Sequence, residues 1–329
     1  MTPPSPTRVV VVDPITTIRW DYDHEADELA RHGVELLLPA DEREVETMVP
    51  TADLLVASGR LSDHLLRAAE RACAVLCYSV GMDGVNRALA DELGIEVSNV
   101  PGYCTEEVAD HAITLLLAAQ RMLVPCATLA ARGEWQVRDR DDFYRIRRVA
   151  ETTVGVVGLG RIGSRFAEKA RGLGMTTIAH DPYLVESPHH DVELLGLDDL
   201  LQRADAVVLC AALSEESTGL IGARELDLMD PGAILVNVAR GGLVDEGALA
   251  DALRAGRLRA AALDVRNPEP PTADDPLRGL DNVVLTQHTA ATSVEAFRDM
   301  HHFAARRIIE LLTAHGRLPA SLATGAGDA

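Results

Sequence analysis

Thr153-Val154-Gly155-Val156-Val157-Gly158-Leu159-Gly160-Arg161-Ile162-Gly163 is the stretch on which the reading of this chain turns. An apolar β-like run ends in G-x-G-x-x-G, and Arg161 to Gly172 continues as an amphipathic helix with Phe166 and Ala170 inward. In a strand–turn–helix unit the first glycine permits the tight turn, the second lets backbone approach a pyrophosphate, and the third lets helix and sheet pack closely. The free N–H groups at the helix start then favour phosphate. Gly158, Gly160, Arg161, Ile162 and Gly163 are therefore candidate dinucleotide contacts. An acidic residue is expected about 20 positions on, at the end of the next strand, to accept from a ribose diol. Asp181, closing Met175 to His180, stands there, and no arginine follows it closely. Its charge repels the additional phosphate of NADP, so NAD is preferred over NADP. Without the glycines upstream, Asp181 would be only the start of the Asp181-Pro182 turn.

Working outward, strand-like and helix-like segments alternate on both sides, the pattern of parallel sheets flanked by helices. Upstream, strands are expected at Arg8–Asp13, Val34–Leu38, Asp53–Ala57 and Ala74–Tyr78. Helices are expected at His24–Arg31, Asp41–Val49 and Asp63–Arg71, with Asp41 and Ser62 placed as N-caps. A long apolar helix should run from Thr105 to about Leu123. Downstream, strands are expected at 153–157, 176–181, 205–211, 233–239, 260–265 and 282–286, making a doubly wound sheet. Between the long helix and the glycine turn, Arg132 to Glu151 reads as an irregular arm. Its Trp135, Phe143 and Tyr144 suggest a contact with a second subunit. A helix from Val294 to Ala314 closes the fold, followed by a tail of Pro, Ala, Gly and Ser that is expected to be disordered.

The 329 residues suffice for two domains, and 47% hydrophobic content supplies a core for each. A net charge of −20 argues against direct binding to nucleic acid or an anionic membrane, both of which need a basic face. Lys169 is the only lysine, which removes Schiff-base and P-loop chemistry from consideration. The five cysteines, Cys73, Cys77, Cys104, Cys126 and Cys210, are scattered in apolar contexts, so buried thiols in a reducing compartment are expected. With no signal-peptide pattern at the N-terminus and no apolar run of spanning length, a cytoplasmic location is expected. His189-His190 and His301-His302 lack ligand partners at metal spacing and read as surface histidines, and Asp139 to Asp142 as a solvated loop. No metal is expected.

Three polar residues follow strands in the second half: Arg240 after Ile234–Ala239, Glu269 after Ala262–Val265, and His288 after Val283–Gln287. In open α/β sheets ligands bind at the carboxyl ends of strands, so these side chains can converge on one substrate. Each alone has a plain explanation as a solvated loop residue.

With these motifs in order, Val154–Gly163, Asn237-Val238-Ala239-Arg240-Gly241-Gly242-Leu243-Val244-Asp245-Glu246, Ala262-Leu263-Asp264-Val265 ahead of Glu269-Pro270, and His288, the chain resembles the D-isomer-specific 2-hydroxyacid dehydrogenase family over nearly its whole length. Within it, Asn99-Val100-Pro101, Glu106-Glu107-Val108-Ala109-Asp110 and Asp181-Pro182-Tyr183 are most similar to the C-terminal-binding-protein branch, which holds dinucleotide-binding corepressors as well as reductases. The resemblance implies two doubly wound parallel-sheet domains. One is a flavodoxin-like substrate domain at 1–103 and 292–329, the other a Rossmann NAD-binding domain at 104–291, with the active site in the cleft between them. It implies that Arg240 binds the substrate carboxylate, that His288 is the acid/base, and that Glu269 orients the imidazole. Arg and His suit these roles chemically, as a fork that stays charged and a ring that titrates near neutrality. Val108, Ala211, Ala212, Leu213, Val238, Ala239, Arg240, Asp264 and His288 are implied as cofactor contacts, with Asp264 at the nicotinamide amide. Val80 matches a further cofactor-contacting position.

Tyr78, Ser79, Val80 and Gly81 match the family's substrate loop and, with Arg240 and His288, are implied to bind a small anionic 2-oxo or 2-hydroxy acid. The chain departs from the pattern at Cys77, where many members have arginine; Arg60 is either its replacement or a solvated arginine ahead of a helix, and a residue of a partner subunit is the other candidate. Gln287 stands in place of a proline. Ala291 stands where the corepressor branch has a tryptophan, which implies a differently shaped or roomier pocket. The resemblance implies a homodimer through the NAD-binding domains. The activity expected is NAD-dependent reduction of a 2-oxo acid. The alternatives are an NAD(H)-sensing binding protein with little turnover, or hydride abstraction from phosphite or formate.

Overall fold

The computed structural model describes residues 6–13, 21–135 and 146–320. It divides into two compact units, Met1–Tyr103 with Ser293–Ala329, and Cys104–Thr292.

In the first unit, β1 (Thr7–Val11), β2 (Val34–Leu37), β3 (Leu54–Ala57), β4 (Ala74–Cys77) and β5 (Glu96–Asn99) form one sheet ordered β2-β1-β3-β4-β5, every pairing parallel. Such a sheet is covered on both faces, so its central strands read as unbroken apolar runs. All of β3 and β4 is buried. Alternation along the strands divides the core in two. Val9, Val11, Leu54 and Leu76 pack with Met300, Ile308 and Leu312 of the closing helix, Val294–Ala314 (α11). Val10, Leu55 and Val75 pack with Leu66 and Leu89 on the other face. Those two leucines belong to α3 (Asp63–Ala68) and α4 (Arg87–Glu92), while α1 (Asp23–Arg31) and α2 (Glu42–Met48) complete the unit. Asp41 and Ser62 cap as the sequence predicts, accepting from the amides of Glu44 and Leu65.

The second unit opens with α5 (Thr105–Gln120) and α6 (Leu123–Ala131). There follow β6 (Thr153–Val157), α7 (Arg161–Gly172), β7 (Thr176–His180), β8 (Glu193–Leu194), α8 (Leu197–Arg203), β9 (Ala206–Leu209) and α9 (Ala223–Leu228). Then come β10 (Ile234–Asn237), α10 (Glu246–Arg254), β11 (Ala260–Leu263) and β12 (Val283–Leu285). The sheet is parallel in the order β12-β11-β10-β9-β6-β7-β8. Chain order therefore reverses between β6 and β9, and that switch point opens the crevice in which doubly wound sheets take ligands.

Two local features differ from the sequence expectation. The long helix stops at Gln120 rather than Leu123, because Met122 adopts a left-handed φ of 53°, and α6 departs at 66°. None of α6 is buried despite its apolar sequence, and Leu123 and Trp135 are 59% and 89% exposed. The strand β8 at the sheet edge is too short to show in the sequence. Of the expected arm, Val149–Glu151 forms a single 3-10 turn, while Phe143, Tyr144 and Asp139 to Asp142 lie outside the described residues. Among the described residues no single helix is long and apolar enough to cross a membrane.

Candidate active site

At the switch point the three glycines meet three different constraints. Gly158 has φ +89°, and a Cβ there would lie 2.7 Å from the Ala211 backbone beyond β9. A Cβ on Gly163 would lie 2.0 Å from the Gly158 carbonyl oxygen, so α7 sits directly on the turn. At Gly160 nothing lies within 4 Å, which leaves open the face that a pyrophosphate needs. Asp181 follows β7, its Oδ2 accepting from the Leu159 amide at 2.9 Å and its Oδ1 from the Tyr183 amide at 3.0 Å. The acidic side chain is thus fixed against the turn itself. Around this crevice Arg161 and Ala212 are exposed, Ile162, Ala211, Leu213 and Ala239 half-buried, and Val108 and Val238 buried. Turn, helix start and carboxylate fit a dinucleotide.

Arg240, Glu269 and His288 follow β10, β11 and β12, three adjacent strands of that sheet. The Arg240 segment is shaped by Asn237, whose side chain donates to the Arg240 carbonyl at 2.8 Å and accepts from the Ala239 amide at 3.0 Å. His288 Nδ1 lies 2.7 Å from Glu269 Oε2, and Glu269 Oε1 accepts from the Arg266 amide at 2.7 Å. The hydrogen bond to Glu269 raises the imidazole pKa above its ordinary value; burial and the Arg240 charge oppose it, and the Glu269 charge adds to it. Burial pushes the Glu269 carboxyl up. The bonds from His288 and the Arg266 amide, with the His288 and Arg240 charges, outweigh this and hold it low. With Nδ1 held, Nε2 is the ring atom left to exchange a proton with a ligand.

His288 itself has a left-handed φ of 53°, uncommon for a residue with a side chain. Asp264 stabilises that conformation. Its carbonyl accepts the His288 amide at 2.8 Å, and its carboxylate accepts the amides of Thr289 and Ala290 at 2.9 Å each and the Thr286 hydroxyl at 2.6 Å. His111 of α5 adds Nε2 at 3.3 Å. Burial raises the Asp264 carboxyl, but these donors overcome it and keep the group ionised. The Asp264 side chain is wholly buried, so its visible work is to build the His288 loop, not to present a carboxylate. His111 gave no signal in the sequence, where it reads as one more position of an apolar helix.

In the first unit, β4 runs into Tyr78-Ser79-Val80-Gly81. The Tyr78 side chain is buried and its hydroxyl donates to Glu25, so the loop offers backbone rather than phenol. The carbonyls of Ser79, Val80 and Gly81 accept from the Val100 amide, the Asn99 side chain and the Ser79 hydroxyl. Among the described residues the amides of Ser79, Val80 and Gly81 have no acceptor, and successive free N–H groups of this kind suit an anion. Cys77 is buried with its thiol pushed up to about 11 by burial and the Asp83 charge, while Arg60 is exposed on the loop after β3. His301 is not a surface histidine: its side chain is mostly buried, with Nδ1 2.6 Å from Glu25. His189 is half-buried too, whereas His190 and His302 are exposed. Among the described residues no group of three or more His, Cys, Asp or Glu could hold a metal ion.

Residues 113–290 match the model of the D-isomer-specific 2-hydroxyacid dehydrogenase NAD-binding domain. The chain is 34% identical over 310 residues to D-3-phosphoglycerate dehydrogenase of Archaeoglobus fulgidus, covering 92% of this chain but only 57% of that longer protein. It is 36% identical to glyoxylate reductase of Korarchaeum cryptofilum over 86% of both chains. The crystal structure of the TT0316 protein from Thermus thermophilus superposes with a TM-score of 0.81 at 33% identity, covering 95% of this chain and 99% of that one. The matched region contains the glycine turn, Asp181, Arg240, Glu269 and His288, and the chain belongs to the D-isomer-specific 2-hydroxyacid dehydrogenase family.

Proposed function

We propose that this protein is an NAD-dependent D-2-hydroxyacid dehydrogenase that reduces a small 2-oxo acid, with His288 as proton donor. The observation that carries the proposal is the 2.7 Å contact of His288 Nδ1 with Glu269 Oε2 at the strand edge that also bears Arg240. Bound nicotinamide supplies the hydride to C2. Arg240 binds the carboxylate and polarises the 2-oxo group. His288, protonated on both nitrogens while Glu269 holds Nδ1, gives its Nε2 proton to the carbonyl oxygen as that oxygen becomes hydroxyl, and oxidation runs the same transfer backwards. In the first unit, the amides of Ser79, Val80 and Gly81 are anion-binding groups in this proposal. An intact acid–base pair favours this reading over a sensor that binds dinucleotide without turnover.

NAD over NADP is part of the proposal, supported by the Asp181 carboxylate fixed on the glycine turn. So are a homodimer through the NAD-binding unit, supported by the uncovered Leu123, Val124 and Trp135, and a cytoplasmic location, supported by scattered thiols that form no disulfide. The test is to follow nicotinamide absorbance on mixing the protein with NADH and a panel of 2-oxo acids, phosphorylated members included. Turnover should appear with at least one acid and vanish in His288→Ala while NADH still binds. Tight NADH binding with no turnover on any acid would leave the sensor reading in its place.

A further inference from the structure

Beside Arg240, Glu269 and His288 lies a charged cluster with no part in the chemistry described so far. Arg266 lies just past β11, and its side chain is only 5% exposed, where an arginine is rarely found unless paired. Nε and Nη2 fork onto Glu246 at 3.1 and 2.7 Å. Nη1 and Nη2 fork onto Asp275 at 3.0 and 2.6 Å. Each carboxylate also takes a backbone amide, Glu246 from Asn267 and Asp275 from Leu277, both at 2.9 Å. The guanidinium thus joins the first turn of α10, the 266–269 loop and the turn at 275–277.

The Arg266 peptide is at the same time the surface on which two catalytic segments rest. Its amide donates to Glu269 Oε1 at 2.7 Å. On its other side lies Gly241, next to Arg240, packed so closely that a Cβ would stand 2.1 Å from the Arg266 carbonyl carbon and oxygen. We propose that Arg266 is a positioning residue for the proton transfer: clamped between Glu246 and Asp275, its peptide sets where Glu269 meets His288 and where Arg240 leaves β10. The proposal rests on His288 as proton donor. A buried ion cluster is a weak device for stability, since apolar groups of similar volume serve as well. Only a planar fork can hold two carboxylates on separate segments in one fixed geometry.

The charges in play are few. His288 faces Glu269, Arg240 and Asp264; Glu269 faces His288 and Arg240; Arg266 faces Glu246 and Asp275, and Asp275 also feels Arg278. The test uses the full chain in two variants, Arg266→Lys and the triple Arg266→Met/Glu246→Gln/Asp275→Asn, which removes the clamp without stranding a buried charge. Histidine labelled with 13C reports the His288 titration without cofactor or substrate, its signal assigned by its loss in His288→Ala. In the triple variant His288 should titrate lower than in the parent, towards its value in Glu269→Gln, with the other histidines unmoved and Arg266→Lys in between. Turnover at neutral pH should fall on the order of 100-fold and recover in part at acid pH. A folded triple variant with the parent's His288 titration and turnover overturns the proposal, and if the triple variant does not fold, the same result in Arg266→Lys does so. A parent protein that reduces no acid, yet whose His288 titration moves on losing the clamp, refutes the proton-donor role and leaves the positioning intact.

Discussion

Adding one methyl at Gly160 and one at Gly163 should separate binding from folding. At Gly163 the new Cβ would stand 2.0 Å from the Gly158 carbonyl oxygen and 3.1 Å from Val156 Cγ1. The first of these is backbone of the turn itself, tied to β7 by the bond from the Gly158 amide to the His180 carbonyl, so α7 must move off the turn by more than an ångström. Overpacking costs about 1–3 kcal/mol, and an unyielding neighbour places this site near 3. At 2–4 °C per kcal/mol for a domain of this size, Gly163→Ala should melt roughly 6–12 °C below the parent. Gly160 has φ −71° and nothing within 4 Å, so alanine fits there, and losing glycine at a helix N-cap costs at most about 1 kcal/mol. The methyl, however, occupies the face reserved for phosphate. Losing one or two charge-assisted hydrogen bonds, about 1.5–3 kcal/mol, weakens NADH by roughly 10- to 100-fold. Thermal melts followed by circular dichroism and NADH titrations followed by fluorescence read the two effects separately. Gly160→Ala with parental NADH affinity, or Gly163→Ala with a parental melting point, would refute the assignment of the turn.

Glu269→Gln removes both the hydrogen-bonded charge and the field that raise the His288 pKa, so the imidazole should deprotonate at lower pH. Since reduction needs the protonated ring, activity should be lost first at neutral and alkaline pH and persist at acid pH; a pH–rate profile lying on the parent's would contradict the pairing. Asp181→Asn keeps an acceptor for the Leu159 amide but loses the charge and the acceptor for the solvent-exposed Tyr183 amide, so the ratio of NAD to NADP affinity should fall about 10- to 100-fold with only a small change in melting point, an outcome read by titrating both cofactors. Asp264→Asn turns an NH2 towards amide donors in a buried site and should cost about 2 kcal/mol, roughly 4–8 °C in a thermal melt. Leu123→Glu with Val124→Glu should convert the proposed dimer to a monomer in sedimentation velocity; a parent that is itself monomeric would refute the dimer, and a variant that stays dimeric would move the interface away from α6.

What the sequence disclosed and what it withheld follow the range of the interactions. The glycine turn is legible because each glycine answers to a neighbour within its own strand–turn–helix unit or directly across the switch point. Arg240, Glu269 and His288 are legible because parallel strands end at one edge, so three residues that follow strands are brought together whatever the details between them. The break at Met122 is invisible, since Thr105 to Leu123 holds no glycine or proline and reads as one unbroken helix. His111 and Thr286 meet across 175 positions. Arg266 in Arg-Asn-Pro-Glu-Pro looks like a solvated loop cation, and only Glu246 and Asp275 make it an interior one.

The same edge holds two carboxylates with opposite tasks, and their surroundings assign them. Asp264 has every side-chain oxygen committed to backbone or hydroxyl donors and none exposed, so its charge is spent on shaping the His288 loop. Glu269 is about a third exposed, with one oxygen on the Arg266 amide and the other on His288. Of the two, only Glu269 bonds the imidazole, and that bond strengthens when the ring gains a proton. Division of labour between neighbouring carboxylates is set by environment rather than residue type. Exchanging the two roles would require freeing a donor-saturated carboxylate, which is why Glu269 is the carboxylate that bonds the ring, while Asp264 acts on its proton only through its charge.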